Sequence, residues 1–542
     1  MRHFYHGLKV VVFLLISINF AMASVSDSDS FTQALKGRDT QSKQEAIAWL
    51  VSSQTPETST QILNAWLHGD LYYFNDKSHS KYLSLYTISS HKVGSTAISV
   101  WDGEQRVVEK KSLFKKIRVN NRFRGAIRAE LASLGLNDPN PVTRRSAVES
   151  LLGQTDDHII NALQTRLATE NDSQVIELIH FALAIDTALD VNAATDKRVA
   201  AIHSLSDEKH AIVFKTMQSV LASSDNQQII EAANYTLAQY QQSQALYSGV
   251  ETLFFGLSMG SVLVLAGIGL AITFGVMGVI NMAHGELIMI GAYTTYVMQL
   301  LLPNNTALAL LLSIPMAFIV SGLVGVLIER SVIRHLYGRP LETLLATFGI
   351  SLILQQAVRS VFSPLNRSVS TPDFMSGALQ LNPMLSLTYN RLYIIMFCVL
   401  VFMGLLMVLK KTPLGLQVRA VSQNRGMARA MGIRSERVDA MTFGLGSGVA
   451  GIAGVALSQL TNVGPNMGQA YIIDSFMVVV FGGVGNLWGT LVAGLSLGLF
   501  NKILEPWAGA VLAKIIVLVF IILFIQKRPR GLFPQRGRAA DS

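Results

Sequence analysis

Asn281, His284, Gly285 and Glu286 lie within six positions of one another, in a chain of 542 residues that is 50% hydrophobic and only 15% charged. Their surroundings, Ile280-Asn281-Met282-Ala283-His284-Gly285-Glu286, are apolar. A charged side chain at a bilayer centre costs roughly 2.5–3.5 kcal/mol, so these groups are expected to face protein or water. On a helix Asn281, His284 and Gly285 share one face, and Glu286 points away from it. Gly275 and Gly278, just before, weaken the helix. Two readings fit. In one, a broken helix lines a solute path, with Asn and neutral His offering donors and acceptors. In the other, the same groups lock helices together.

Two further stretches carry chemical information. Thr412-Pro413-Leu414-Gly415 through Arg419-Ala420 to Ala428 and Gly432-Ile433 predicts a short amphipathic helix ended by Gly432. Its small residues suit docking of a soluble motor; a plain basic connector between membrane helices is the other reading. Phe481-Gly482-Gly483-Val484-Gly485-Asn486-Leu487-Trp488-Gly489 lacks the Lys-Ser/Thr ending of a phosphate-binding loop. Lying between two apolar half-spans, Gly482, Gly483 and Gly485 predict a re-entrant or closely packed turn. No HExxH, GxSxG or P-loop pattern occurs, so no catalytic residue, metal site or cofactor is expected, and transport energy must come from a partner or a gradient.

The elements that position these stretches follow from hydropathy. Up to about residue 245 the chain reads as soluble protein. Beyond it, apolar runs at about 252–276, 279–302, 307–328, 343–362, 392–409, 438–460 and 509–526 are long enough for a bilayer core of about 30 Å. Shorter runs lie at 471–482 and 488–500. Seven spans plus a re-entrant pair, or nine spans, both fit. The net charge of +9 concentrates in short loops: Arg330, Arg334 and Arg339; Lys410 to Arg437; and Lys527, Arg528, Arg530, Arg536 and Arg538. Basic loops of this kind mark the cytoplasmic side, which disposes of nucleic acid as a partner. The single cysteine, Cys398, sits in an apolar run and allows no internal disulfide.

Arg2 and Lys9, the apolar run Val10 to Phe20 and Ala21-Met22-Ala23 read as a cleaved signal peptide over 1–23, in preference to an uncleaved first membrane helix. Residues 24–245 then form an external, mainly helical domain, with 246–542 as the membrane domain. Asp138-Pro139-Asn140-Pro141 with Arg144, Thr195-Asp196-Lys197-Arg198, and Ser42 to Ile47 share a loose helical-repeat plan of HEAT-like type: a polar cap, an Arg expected to face water, then inward Ala and Val. Tyr82 to Trp101 alternates like strands, with Gly94 and Gly103 as turn signals, and predicts a small β insertion.

In combination the membrane-domain motifs resemble the LivH-type permeases of branched-chain amino acid ABC transporters. The resemblance rests on Ile280 to Glu286, Glu329-Arg330, Arg419-Ala420 with Ala428 and Gly432-Ile433, Gly482-Gly483-Val484-Gly485, and Pro529-Arg530-Gly531-Leu532-Phe533. It covers about 250–535. The extra N-terminal domain, Met282 and Gly485 to Gly489 look like the urea branch of that family. The resemblance implies a second, homologous permease subunit, two cytoplasmic ATPases and a periplasmic substrate-binding protein, in an inner membrane with the C-terminus inside. The expected function is urea import; a branched-chain amino acid permease is the near alternative and a membrane-anchored sensor the distant one. The sparse charge of the middle spans, with no buried cation positioned for a carboxylate, mildly favours a neutral solute.

Overall fold

The structure, a computed structural model, describes residues 27–37, 39–74, 84–88 and 92–534. The signal-peptide segment, Leu83 of the strand-like stretch, and Arg536 and Arg538 of the tail lie outside them. The chain divides into two compact units, one ending at Gln241 and one beginning at Gln242.

In the first unit, helices α1 (Ser28–Lys36), α2 (Thr40–Ser53) and α3 (Pro56–His68) precede a five-stranded antiparallel sheet, order β4-β3-β2-β1-β5. Its strands are β1 (Leu71–Phe74), β2 (Leu85–Thr87), β3 (Thr96–Ser99), β4 (Gln105–Val107) and β5 (Phe114–Lys116). Helices α4 (Asn121–Gly135), α5 (Pro141–Leu151), α6 (Asp157–Leu167), α7 (Ser173–Leu189), α8 (Thr195–Ser204) and α9 (Ala211–Ser223) follow. The starts are set by local chemistry. Asp39, Thr55, Asn120, Asn140, Asp156 and Asp172 each accept from first-turn N–H groups, and Pro56 and Pro141 occupy positions where a missing N–H costs nothing. Phe31, Leu50, Ile62, Leu63 and Trp66 form a core against Leu71, Leu85 and Ile127. Strand β3 alternates, burying Ala97 and Ser99 and exposing Thr96 and Ile98.

The arginines of the repeated pattern do not face water. Arg144 is buried: its Nε and one terminal nitrogen each lie 2.7 Å from a Glu170 oxygen, and the other terminal nitrogen donates to the Asp138 and Pro139 carbonyls. Arg198, at the same position of its helix, is buried too and donates to the Ala188 carbonyl. A guanidinium has enough donors to satisfy the carbonyls left free where one helix stops and the next begins. Glu170 also accepts from Arg166 and from the Asn171 and Asp172 N–H groups.

The second unit holds the end of α10 (Gln227–Met277), which begins in the first unit, then α11 (His284–Leu301), α12 (Thr306–Ser331), α13 (Pro340–Phe362), α14 (Tyr389–Lys411), α15 (Pro413–Gln423), α16 (Arg425–Ala430), α17 (Ser435–Ser458), α18 (Met467–Gly482) and α19 (Leu487–Lys527). A hairpin of β6 (Ala378–Asn382) and β7 (Leu385–Thr388) lies between α13 and α14. Six helices among the described residues are long and apolar enough to cross a membrane: α10, α12, α13, α14, α17 and α19. The expectation of a continuous span over 279–302 fails, because residues 278–283 are not helical and α11 starts only at His284. The runs at 488–500 and 509–526 join into α19, which bends where Gly509 adopts φ 77°.

Span, irregular segment, short helix and long helix occur in that order twice, as α10, 278–283, α11, α12 and as α17, 459–466, α18, α19. Each long helix packs on the opposite span. Gly322, Gly325 and Ser321 of α12 meet Gly444, Ser447 and Gly451 of α17, while Leu495, Leu499 and Gly498 of α19 meet Gly256 and Gly260 of α10.

Arg144 holds the Glu170 carboxyl well below its ordinary 4.5, helped by Arg166 and two backbone N–H groups. A lowered folded-state pKa gives stability that is full above the unfolded value and lost as pH falls through the folded one. Glu170→Gln should therefore lower the melting temperature at pH 7, and the gap to the unsubstituted protein should shrink steadily below pH about 4. Thermal melts of the purified chain across this range check it; a gap independent of pH contradicts it.

Candidate functional site

Helix α10 ends at Met277, and Gly278 turns the chain with φ 65°. In the segment that follows, the Asn281 side-chain oxygen accepts from the Ala283 N–H at 3.0 Å and the Met282 N–H donates to Thr347 Oγ1 at 3.1 Å. Helix α11 then starts at His284, with no side-chain cap. His284 Nε2 lies 2.9 Å from the Ala266 carbonyl in α10; a carbonyl only accepts, so Nε2 donates. A Cβ on Gly285 would overlap the Gly468 carbonyl of α18, and one on Gly468 the Gly285 carbonyl. Glu286 turns to α13, where its Oε1 accepts from Ser351 Oγ at 3.0 Å and Gln355 Nε2 at 2.7 Å. All four predicted residues are thus brought together and buried, and three of them contact three different helices. Asn281 Nδ2, His284 Nδ1 and Glu286 Oε2 have no hydrogen-bond partner among the described residues.

The sequence analysis missed the opposite wall. Thr343, Thr347, Ser351, Gln355 and Arg359 recur every four residues of α13, one polar stripe on a largely apolar helix. The first four are buried. The stripe was the signal that could have found them. Arg359 donates to Asn466 Oδ1 at 2.6 Å, just before α18. Arg359 is half-buried and brings a cation to this end of the stripe. Asn466 leads out of segment 459–466, which is held by a two-way backbone bridge between Val463 and Arg367 at 2.7 and 2.8 Å.

The predicted 412–433 helix is two helices, α15 and α16, because Asn424 ends the first and caps the second. Gly432, with φ 87°, ends α16: its N–H reaches the Arg429 carbonyl at 3.0 Å and the Ile433 N–H reaches Ala428 at 3.0 Å. Val418, Val421, Ala428 and Val438 form a small core, with Ala420 and Ile433 packed against it. Arg419 and Gly432 are exposed, as are Leu416, Met427 and Met431. Arg425 pairs with Asp439 of α17 and lies over the Tyr337 ring, fixing the loop to the bundle.

Gly482, Gly483 and Gly485 lie at the turn from α18 to α19. Gly482 packs on Gly489, and Gly275 on Gly485. Pro529 to Phe533 clasps this turn: Leu532 donates to Phe481 at 2.9 Å and Phe533 to Gly482 at 3.2 Å. Gly483 and Gly531 meet backbone to backbone, which explains glycine at both.

Residues 252–525 match the family model described as branched-chain amino acid transport system / permease component. The chain belongs to this family. Over 296 residues, 53% of this chain and 96% of the relative, it is 30% identical to the high-affinity branched-chain amino acid transport system permease protein BraD of Pseudomonas aeruginosa. It is 27% identical over 293 residues, 52% of this chain and 94% of the relative, to LivH of Escherichia coli, which has the same function in its name. A shorter match, 32% over 132 residues, covers 23% of this chain and 41% of the ribose import permease protein RbsC of Bacillus subtilis. No solved structure matches the chain. The chain is therefore a multi-pass membrane permease component of the ABC-importer type. The matched segment leaves the first unit outside.

Close backbone contact is testable. Gly285→Ala should lower stability by about 1–3 kcal/mol, because the Gly468 backbone cannot yield as a flexible side chain does. Gly349→Ala, with nothing within 4 Å of the new methyl, should cost nothing. Unfolding in mixed micelles compares the two; equal stabilities contradict the contact.

Proposed function

We propose that the chain is the permease subunit of an ATP-driven importer for a small hydrogen-bonding solute, urea first, with residues 24–245 outside the membrane and the C-terminus in the cytoplasm. The observation that carries the transport reading is the irregular, polar segment 278–286 set against the polar stripe of α13 inside an apolar bundle. Non-helical backbone at membrane depth is tolerated only in contact with protein or water, and is costly to keep without a use. Asn281, His284, Gly285 and Glu286 are assigned to the solute path or to the helix contacts that shape it. The repeated cap-and-arginine plan of the first unit is read as HEAT-like. Partner subunits are a second permease, two ATPases and a periplasmic binding protein.

Urea is favoured by the extra N-terminal unit, Met282 and Gly485 to Gly489, and by the neutral groups of Asn281 and His284. Branched-chain amino acids are the second reading, favoured by the names of the relatives and by Arg359, whose guanidinium suits a carboxylate. Uptake of radiolabelled urea and leucine, in a strain lacking its own carriers and with the partner subunits co-expressed, decides between them. ATP-dependent urea uptake is expected; leucine uptake without urea uptake overturns the urea assignment.

Arg419, Ala420, Ala428, Gly432 and Ile433 are assigned to ATPase docking, Ala428 and Ile433 shaping the loop from within and Arg419 presenting outward. Gly432→Val forces a β-branched residue into a left-handed conformation, at about 1–2 kcal/mol. Solute-stimulated ATP hydrolysis should fall while membrane insertion persists; normal coupling in the purified complex moves docking elsewhere.

A further inference from the structure

We infer that the seam between helices α11 and α13 is a water-filled stretch of the solute path, and that the open carboxylate oxygen of Glu286 in it accepts an N–H of the carried solute. The group recognised is a nitrogen donor, the amide of urea or the ammonium of an amino acid. The inference rests on the transport reading above and adds Ile290 and Tyr293 to the path.

Three contacts define the seam. Near the break, Glu286 Oε1 accepts from Ser351 and Gln355 of α13. Seven residues on, along the same face of α11 and about 10 Å away at 1.5 Å per residue, the Tyr293 ring lies 4.8 Å from that of Phe362, the last residue of α13. Further on, Gln299 exchanges two hydrogen bonds with the Ser370 backbone, at 2.7 and 2.9 Å. Ile290 shares this face, four residues from Glu286 and three from Tyr293. It is half-buried, while every other residue from 283 to 293 is buried. The seam is therefore closed at Glu286 and at Tyr293 and not filled between them.

Idle polar atoms line it. Glu286 Oε2 and the Tyr293 hydroxyl are buried with no hydrogen-bond partner among the described residues, and Arg367 Nε is buried and unpartnered in the same way. Arg367 belongs to the Phe362 end, since another of its nitrogens donates to the Phe362 carbonyl at 3.0 Å. In order along the seam these are an acceptor, a hydroxyl able to do both, and a donor. Depth agrees with a path. His284, two residues before Glu286, bonds to Ala266 near the middle of the 252–277 stretch of α10. Ionisable groups at such depth face the bundle interior or water and mark solute pathways.

Helix locking accounts for only half of Glu286. Both bonds to α13 fall on Oε1, and a glutamine carbonyl would accept them without the burial of a charge. The carboxylate keeps Oε2 for a partner that the described residues do not supply. Such an oxygen only accepts, so it takes a donor, and urea and leucine both carry N–H groups.

Ile290→Cys in the complete transporter, held in nanodiscs with ATP, tests the seam before any solute is added. Cys398 is buried and is the single cysteine of the chain, so labelling is read on this chain by mass. The new thiol should react with membrane-impermeant methanethiosulfonates. Leu323→Cys, on the exposed apolar face of α12, should not, because apolar surroundings suppress the thiolate. No reaction at 290, or equal reaction at both positions, overturns the seam. Adding Glu286→Gln, with assembly read by co-purification, should lower the ratio of cationic to anionic reagent rates about tenfold, since the two side chains are one turn apart in a poorly screened site. A ratio that stays within about twofold overturns the open carboxylate. Urea or leucine, whichever the complex carries, should slow the labelling, and Glu286→Gln should raise the protecting concentration about tenfold, as for loss of a charge-assisted hydrogen bond. Protection that is absent, or unshifted by Glu286→Gln, overturns recognition by Glu286. If the unsubstituted complex carries neither solute, the substrate reading fails, and the charge-dependent labelling alone decides the site.

Discussion

The membrane unit depends on one constraint: two helix starts must come together inside an apolar bundle, and only glycine lets them. Gly285 and Gly468 each occupy the space where the other's Cβ would need to be. In lipid no hydrophobic effect drives helices together, so close backbone approach and its dispersion contacts supply the attraction. Gly269 against Gly446 and Gly291 against Gly451 extend the same contact along α10, α11 and α17. Glu286, one residue on and about 100° round the helix from Gly285, meets Ser351 and Gln355 of α13 instead. The glycine contact and the polar contact thus occupy different sides of the same first turn.

The polar groups in turn stabilise the break. Segment 278–283 gives up helical hydrogen bonds, and Thr347, Asn281 and the Ala283 N–H replace part of them. A broken helix in a bilayer is tolerated where neighbours re-satisfy the backbone. The α13 stripe is that neighbour, which is why a mostly apolar helix keeps Thr, Thr, Ser, Gln and Arg at a spacing of four. The tail performs a related task at the far end of α18: Leu532 and Phe533 donate to carbonyls at the helix C-terminus, where such groups are left without intrahelical partners.

Long apolar runs, basic loops and the division near residue 245 were legible because each depends on composition over many residues. The break before His284 was legible in part, through Gly275 and Gly278, but the run 279–302 read as one span because Asn281 and Ala283 do not interrupt hydropathy enough. The contact partner Gly468 was not legible. Nothing local distinguishes a glycine that meets another backbone from one like Gly349, which meets nothing. Arg144 was placed in water because a lone Arg on a helix is usually solvated; its burial depends on Glu170, 26 residues away, and on carbonyls exposed by a helix end. Arg359 was overlooked for a similar reason, since its role arises from Asn466, 107 residues later.

The choice of solute illustrates the same limit from the chemical side. Arg359 brings a positive charge to the junction and Glu286 a carboxyl group, and each already has a partner: Asn466 for one, Ser351 and Gln355 for the other. Glu286 Oε2 and Asn281 Nδ2 have no partner among the described residues, and Arg359 spends one nitrogen of its five-donor fork on Asn466. Leaving a buried polar group unmade costs about 1–3 kcal/mol, so these open positions are the ones a solute meets first. An open carboxylate oxygen beside an open amide donor suits a zwitterion and a neutral amide alike, and the arrangement selects neither.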